Sequence, residues 1–212
     1  LDSGGSAIEA AVEACVVLED DPVFNAGTGS VFRTDGSVHL DASIQTSEGK
    51  MGFVIAMQDT PNPIRVAADL LDEEINGLTG DGARLWADSK GFEKSIVQGR
   101  PPFEGATDTV GVVARDNSGL IVCATSTGGT SNRPPGRVGD VPLPGCGFWA
   151  QEGVGVGATG IGEAITRGML SFRVAERILD GGGLEESMMW ALEECLEDGA
   201  EGGIIALGSE GT

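Results

Sequence analysis

Two apolar runs on either side of a polar turn dominate the chain's pattern. Val110-Gly-Val-Val-Ala114 and Leu120-Ile-Val-Cys-Ala124 flank Asp116-Asn-Ser-Gly119, which predicts a hairpin buried on at least one face. Thr109 precedes the first run and Thr127 follows the second. In an antiparallel pair these ends lie side by side, so two hydroxyls are expected at one end of a sheet. A glycine- and proline-rich loop carrying Arg137 and Asp140 follows. Two hydroxyls, a cation and an anion together would make a reaction site.

Elsewhere the periodicity changes repeatedly. Ser6-Ala-Ile-Glu9 reads as a capping box opening a helix whose apolar stripe is Ile8, Ala11, Val12, Cys15 and Val16. Residues 30–33 and 37–44 read as a hairpin across Asp35-Gly36, and residues 51–57 as a buried strand. Helices are expected at 64–71 and 81–89, the second offering Leu85 and Trp86 to a core. Periodicity fails over 93–108, where Arg100-Pro-Pro102 cannot continue a helix, so this stretch reads as a surface linker. Strands at 147–150 and 153–158, a helix over 162–178, a helix over 184–196 and a strand over 203–207 complete the pattern. Strands and helices fall in blocks, so an α+β domain with helices packed outside its sheets fits better than strict alternation.

Composition narrows the function. A chain of 212 residues, 40% hydrophobic and 22% charged, suits one globular domain rather than disorder. The net charge of −20 argues against a nucleic-acid partner, whose phosphates it would repel. Lysine occurs only at positions 50, 90 and 94, and this acidic, lysine-poor balance suits concentrated salt, as in a halophilic cytoplasm. No apolar stretch approaches the length of a membrane span and no signal peptide is visible, so a cytoplasmic protein is expected. Cys15, Cys123, Cys146 and Cys195 show no CxxC spacing and read as buried free thiols. His39 is the sole histidine, so any serine–histidine or cysteine–histidine chemistry must run through it; its strand-like setting reads as structural.

Gly155-Val-Gly157-Ala-Thr-Gly160 matches the dinucleotide fingerprint, but no parallel strand with an acidic end follows, and NAD binding is set aside. A threonine nucleophile needs a base. The α-amine of an N-terminal residue can serve, with an ordinary pKa of about 7.7–8. Thr109 is internal, so this chemistry requires prior scission of the Asp108–Thr109 bond, and the linker upstream would give the new terminus room.

Thr109-Val-Gly-Val-Val-Ala114, Ser126-Thr-Gly-Gly129, Gly136-Arg-Val-Gly-Asp140 and Thr159-Gly-Ile-Gly-Glu163 resemble successive signatures of the plant-type asparaginase and isoaspartyl peptidase family of N-terminal nucleophile hydrolases. Asp20-Asp-Pro-Val-Phe-Asn-Ala-Gly-Thr-Gly-Ser-Val31, Leu40-Asp-Ala-Ser43 and Asn62-Pro-Ile64 resemble its first-subunit motifs. The resemblance implies a four-layer αββα sandwich made as a precursor, cleaved into an α chain of residues 1–108, with the linker 93–108 at its end, and a β chain from Thr109 onward. Two such pairs would form the dimer.

The resemblance also implies roles. Thr109 would attack a side-chain amide or isopeptide carbonyl, with Thr127 hydrogen-bonding beside it and Asn25 as a brace. Arg137 would clamp a substrate α-carboxylate, Asp140 would receive its α-ammonium, and Gly160 and Gly162 would lie against the substrate. Thr159 and the Gly160 amide would stabilise the oxyanion. No cofactor is implied for the chemistry, but a structural sodium ion is, held by main-chain carbonyls of Leu18, Glu19, Asp21, Phe24, Ala26 and Thr28. The expected reaction is hydrolysis of asparagine or β-aspartyl dipeptides. The family's opening strand and C-terminal tail have no counterpart in these 212 residues. Asp108 before Thr109 resembles the glycosylasparaginase branch, whereas Ser126-Thr-Gly-Gly129 favours the asparaginase branch. Glycosylasparaginase activity and an inert relative are the alternatives.

Overall fold

Ser6 Oγ accepts from the Glu9 amide at 3.1 Å while Glu9 Oε2 accepts from the Ser6 amide at 3.2 Å. The expected capping box therefore opens α1 (Ala7–Asp20). The computed structural model describes residues 4–101 and 109–209. Along α1 the residues Ala11, Val12, Cys15 and Val16 are buried, and Ile8 packs beside them, as the stripe predicts.

That stripe covers a mixed sheet of β1 (Leu40–Thr46), β2 (Met51–Met57), β3 (Gly77–Thr79), β4 (Val110–Arg115) and β5 (Ile121–Thr127). Its order is β3-β2-β1-β5-β4, with only the β2–β3 pair parallel. The helices α2 (Pro63–Asp69) and α3 (Gly80–Lys90) join α1 against this sheet. A second, antiparallel sheet holds β6 (Phe148–Gln151), β7 (Val154–Gly160) and β8 (Gly202–Gly208) in the order β6-β7-β8. It is packed by α4 (Gly162–Gly168), α5 (Leu170–Leu179) and α6 (Leu184–Glu194). Cys123 of β5 meets Phe148 and Ala150 of β6 in a cluster of their own, so the two sheets pack on one another. Gly155 marks how closely: a Cβ there would lie 2.7 Å from both Ile121 and Val113 side chains. Packing between sheets thus accounts for glycine in β7 without any nucleotide.

The arrangement is α+β, as the blockwise pattern predicts. Four local expectations change. Residues 30–33 form no strand, because their amides are claimed elsewhere: Val31 N by Asn25 Oδ1, Phe32 N by Arg100 O, and Arg33 N by Ser37 O across the Asp35-Gly36 turn. His39 accordingly precedes β1 rather than lying in it, and its Nδ1 accepts from Gly136 N at 3.3 Å, a structural use. Leu85 is 69% exposed, since the 3.6-residue period turns Ala83 and Ala87 inward instead, with Trp86 half-buried at the edge. The single helix expected over 162–178 is two, broken at Met169 with φ 47°. Gly168 meets the Cys195 carbonyl there, so α4 ends against the turn after α6 and the chain changes direction.

Part of the expected linker is tied down: Ser95 N donates to Asp59 O, and Arg100 N to Ser30 O. Asp108 and the rest of 102–108 lie outside the described residues. All four cysteines are buried and free, as expected. Among the described residues no helix is long and apolar enough to cross a membrane.

Candidate active site

Antiparallel register sets the site. Val110 of β4 pairs with Ser126 of β5, which puts Thr109 beside Thr127, and Thr109 Oγ1 donates to Thr127 Oγ1 at 3.1 Å. Thr127 also accepts from Gly129 N at 3.0 Å and donates to Asn25 O at 3.4 Å. Asn25 closes this end of the strand. Its Nδ2 donates to Gly129 O at 2.6 Å, its Oδ1 accepts from Val31 N at 3.1 Å, and its carbonyl accepts from Gly128 N at 2.8 Å. Asn25, expected to brace the nucleophile, is bonded to Thr127 and the loop after it.

Thr109 and Thr159 line one cavity of about 360 Å³, whose other walls include Leu18, Phe24, Thr125 and Ile204. Thr159 Oγ1 is buried without a hydrogen-bond partner, so its proton is available to an oxygen anion in that space. Thr159 lies near the end of β7, and the next residues, Gly160 to Gly162, lead into α4.

At Gly162 the cation and anion converge. A Cβ on Gly162 would stand 2.7 Å from Arg137 Nη2 and 2.8 Å from Asp140 Oδ1. Both side chains are nearly buried. Arg137 Nε and Nη2 donate to Glu163 Oε1 and Oε2 at 3.0 and 2.8 Å, a two-bond fork. Those hydrogen bonds hold the Glu163 carboxyl down at about 2, well below the ordinary carboxylate range. A guanidinium and a carboxylate thus flank one glycine, the two charges that a zwitterion would need. Arg137, Asp140 and Gly162 are thus grouped together as expected; Thr109, Thr127 and Thr159 form the neighbouring hydroxyl group.

Behind these lies a charged layer that spacing alone does not reveal. Asp41 of β1 pairs in register with Thr127, is fully buried, and accepts from Ala56 N at 2.7 Å. Burial pushes its carboxyl up to about 6 against the opposing pull of Arg33 and Arg137. Arg33 in turn donates to Thr130 O at 3.1 Å, just after the Thr127 loop. Glu163 and Asp41 sit within recognisable motifs, but their partners are distant in sequence, so only the fold pairs them.

The carbonyl-bearing residues Leu18, Glu19, Asp21, Phe24, Ala26 and Thr28 run from the end of α1 to a short 3-10 turn, Gly27–Gly29. The loop folds back on itself: Phe24 N donates to Asp21 O, and Gly29 N to Ala26 O. A Cβ on Gly27 would lie 2.5 Å from the Glu19 carbonyl. Main-chain carbonyls carry two lone pairs each and are neutral oxygen donors, the donor class that an alkali cation takes. The Glu19 side chain points the other way chemically. It is wholly buried, with Oε1 accepting from Ser126 Oγ at 2.6 Å and Ile64 N at 3.2 Å, and burial raises its carboxyl to about 8. Among the described residues no group of three or more histidine, cysteine, aspartate or glutamate side chains is placed to hold a metal.

Comparison with known proteins gives the same direction. The asparaginase family model matches residues 1–99 and 94–212. A plant-type L-asparaginase of Pyrobaculum calidifontis is 38% identical over 89% of this chain and 72% of its own length. An isoaspartyl peptidase/L-asparaginase of Danio rerio is 37% identical over all of this chain and 76% of its own, and one of Synechocystis 34% identical over all of this chain and 72% of its own. The chain therefore belongs to the asparaginase family.

Proposed function

We propose that this chain is an autocleaving threonine amidohydrolase that converts asparagine to aspartate and ammonia and splits β-aspartyl dipeptides. One observation carries the reading: the Thr109 hydroxyl, hydrogen-bonded to Thr127, shares a cavity with the unpartnered Thr159 hydroxyl, while Arg137 and Asp140 flank Gly162 close by in the chain. The names carried by the relatives support it.

Scission of the Asp108–Thr109 bond frees the Thr109 amine. Arg137 takes the substrate α-carboxylate and Asp140 its α-ammonium, which fixes the side-chain carbonyl over Thr109. The amine removes the Thr109 hydroxyl proton as Oγ1 bonds to the carbonyl carbon. The oxyanion is met by Thr159 Oγ1–H and Gly160 N–H. Collapse breaks the C–N bond, and the proton held on the amine passes to the departing ammonia or amino acid. Water, deprotonated by the same amine, then hydrolyses the Thr109 ester and releases aspartate.

In this reading the helices and the two stacked sheets are the four layers of an αββα sandwich, residues 1–108 and 109–212 are its subunits, and two pairs form the dimer. Carbonyls of Leu18, Glu19, Asp21, Phe24, Ala26 and Thr28 would hold a sodium ion that stiffens the loop around Asn25, without entering the chemistry. The charge of −20 supports work in the concentrated salt of a halophilic cytoplasm.

The test is intact-mass measurement of purified protein, paired with assays on β-aspartyl-leucine and on a glycosylated asparagine. Two fragments divided before Thr109 and hydrolysis of the dipeptide are expected, with a single unreactive chain for Thr109→Ala. Activity on the glycan substrate alone would replace this reading with a glycosylasparaginase. A wild-type chain that stays whole and inert would leave the family resemblance without catalysis.

A further inference from the structure

The loop that presents Arg137 is strapped to the segment before β1 by hydrogen bonds along its length. Arg33 Nη1 donates to Thr130 O at 3.1 Å, Thr34 N to Arg133 O at 3.0 Å, and Gly136 N to His39 Nδ1 at 3.3 Å. The first two end on main-chain carbonyls, which do not titrate. The third ends on an imidazole nitrogen, and it is the one next to Arg137. Pro134 and Pro135 carry no amide hydrogen, and Arg137 N is spent on Pro134 O at 3.2 Å within the turn. Within residues 134–137, the Gly136 amide is thus the main-chain donor left to reach the segment.

A neutral imidazole accepts at Nδ1 while Nε2 holds the proton, whereas an imidazolium donates from both nitrogens. A proton on His39 would therefore set one N–H against another and break the bond. The surroundings favour the neutral ring. Burial, and then the Arg33 guanidinium, lower the His39 pKa from its ordinary 6.5 against the opposing pull of Asp35. Arg33 is itself buried and donates Nη2 to His39 O at 3.4 Å, so this cation is fixed beside the ring. The strapped loop adds Arg133 and Arg137, β1 adds Asp41, and Asp59 lines a groove with Ser37 and Val38. The bond is in place near neutral pH and opens as pH falls through a value below 6.5.

We infer that His39 is a positioning residue for substrate recognition: its neutral imidazole latches the Gly136 amide and so fixes where the next residue, Arg137, presents its guanidinium, and a proton on the ring releases the latch. This rests on the amidohydrolase reading, in which Arg137 takes the substrate α-carboxylate, and adds to it a residue that acts only through Arg137.

The experiment follows KM and kcat for β-aspartyl-leucine from about pH 7.5 to about pH 5 in wild type, His39→Asn and His39→Leu. Asparagine places Oδ1 where Nδ1 stands and has no proton to gain, whereas leucine offers no acceptor. All three share the pH dependence of the Thr109 amine and Asp41, which divides out in the comparison. Beyond it, wild-type KM is expected to rise about threefold as pH falls, the weight of one partly exposed hydrogen bond. His39→Asn should keep the low value throughout and His39→Leu the high one, with one kcat profile for all three. Linkage supplies a second readout, because His39 is the chain's only histidine and its ring protons are unambiguous in NMR spectra of untagged protein. Saturating aspartate is expected to lower the His39 pKa by about 0.5, the reciprocal of that threefold preference and the opposite of what the ligand's own negative charge would do. A His39 pKa that stays put or rises with aspartate would overturn the inference, as would parallel KM profiles for wild type and His39→Asn. A wild type that neither hydrolyses the dipeptide nor binds aspartate by calorimetry would overturn the amidohydrolase reading and the latch together.

Discussion

Thr109 Oγ1 donates to Thr127 Oγ1 across 3.1 Å, although 18 residues separate them. The hairpin register makes this contact: Val110 opposite Ser126 sets the two hydroxyls side by side at the open end of the pair. Thr127 spends its own proton on the Asn25 carbonyl and receives from Gly129 N as well. It therefore presents a lone pair, not a proton, to Thr109, and the Thr109 hydroxyl is aimed before any substrate arrives.

Thr127→Val removes that acceptor while keeping the β-branched shape that suits a strand. The expected outcome is a fall in kcat of about a hundredfold, within the range for losing one group that handles or orients the reacting proton. KM should be nearly unchanged, because the proposed mechanism assigns the other end of the substrate to Arg137 and Asp140. Steady-state kinetics on β-aspartyl-leucine measures both. An equal loss through KM would place Thr127 in binding instead.

Asn25 holds the loop behind Thr127 through its side chain: Nδ2 donates to Gly129 O, and Val31 N donates to Oδ1. Asn25→Leu fills similar volume and leaves a buried carbonyl and a buried amide unpaired. Each unpaired group costs about 1–3 kcal/mol, so a loss of about 2 kcal/mol or more is expected. For a chain of this size that lowers Tm by roughly 4–8 °C, readable by calorimetry on the uncleaved Thr109→Ala background. An unshifted Tm would mean that water takes over both partners.

The hairpin, the two sheets and the grouping of threonines at a sheet end were legible because they follow from alternation, turn chemistry and antiparallel pairing, which are local. What escaped depends on partners far apart in the chain. The segment 30–33 has strand-forming residues, yet its amides bond to Asn25 and Arg100, and no periodicity records that. Met169 breaks a helix whose pattern runs on, and Gly168 beside it packs close against the Cys195 carbonyl, 27 residues later. Glu163 is visible in a motif, but its hold on Arg137 spans 26 residues and needs the sheet between them. The paired threonines are readable from sequence; the layer of charge behind them is not.

Gly162→Ala tests the zwitterion receptor directly. The added methyl would meet Arg137 Nη2 at 2.7 Å and Asp140 Oδ1 at 2.8 Å, so the two groups must part. Gly162 is not among the glycines with positive φ, and its backbone accepts alanine without strain. KM should rise about tenfold or more while Tm moves little. A variant with wild-type KM would show that the substrate's charged end binds elsewhere.

Glu19 gives a prediction in pH. Its carboxyl, buried against Ser126 and Ile64, titrates near 8 in the native state against an ordinary 4.5. The native state therefore keeps a proton that the unfolded chain has already released, and stability is lost as pH rises from about 4.5 to about 8. Two other groups act in the lower part of that window. Asp41, raised to about 6, has the same sign below pH 6, and His39, whose pKa is lowered from 6.5 chiefly by burial, has the opposite sign below 6.5. From pH 6.5 to about 7.5 the slope belongs chiefly to Glu19; nearer 8 the buried thiols of Cys15, Cys123 and Cys146, raised by burial, add to it with the same sign. Thermal melts of the uncleaved Thr109→Ala protein should show Tm falling from pH 6.5 to about 7.5, and Glu19→Gln in the same background should be nearly flat there. Glutamine keeps an oxygen for the Ser126 hydroxyl and the Ile64 amide and has no proton to lose, so equal slopes in the two proteins would mean that Glu19 is already ionised in the folded chain.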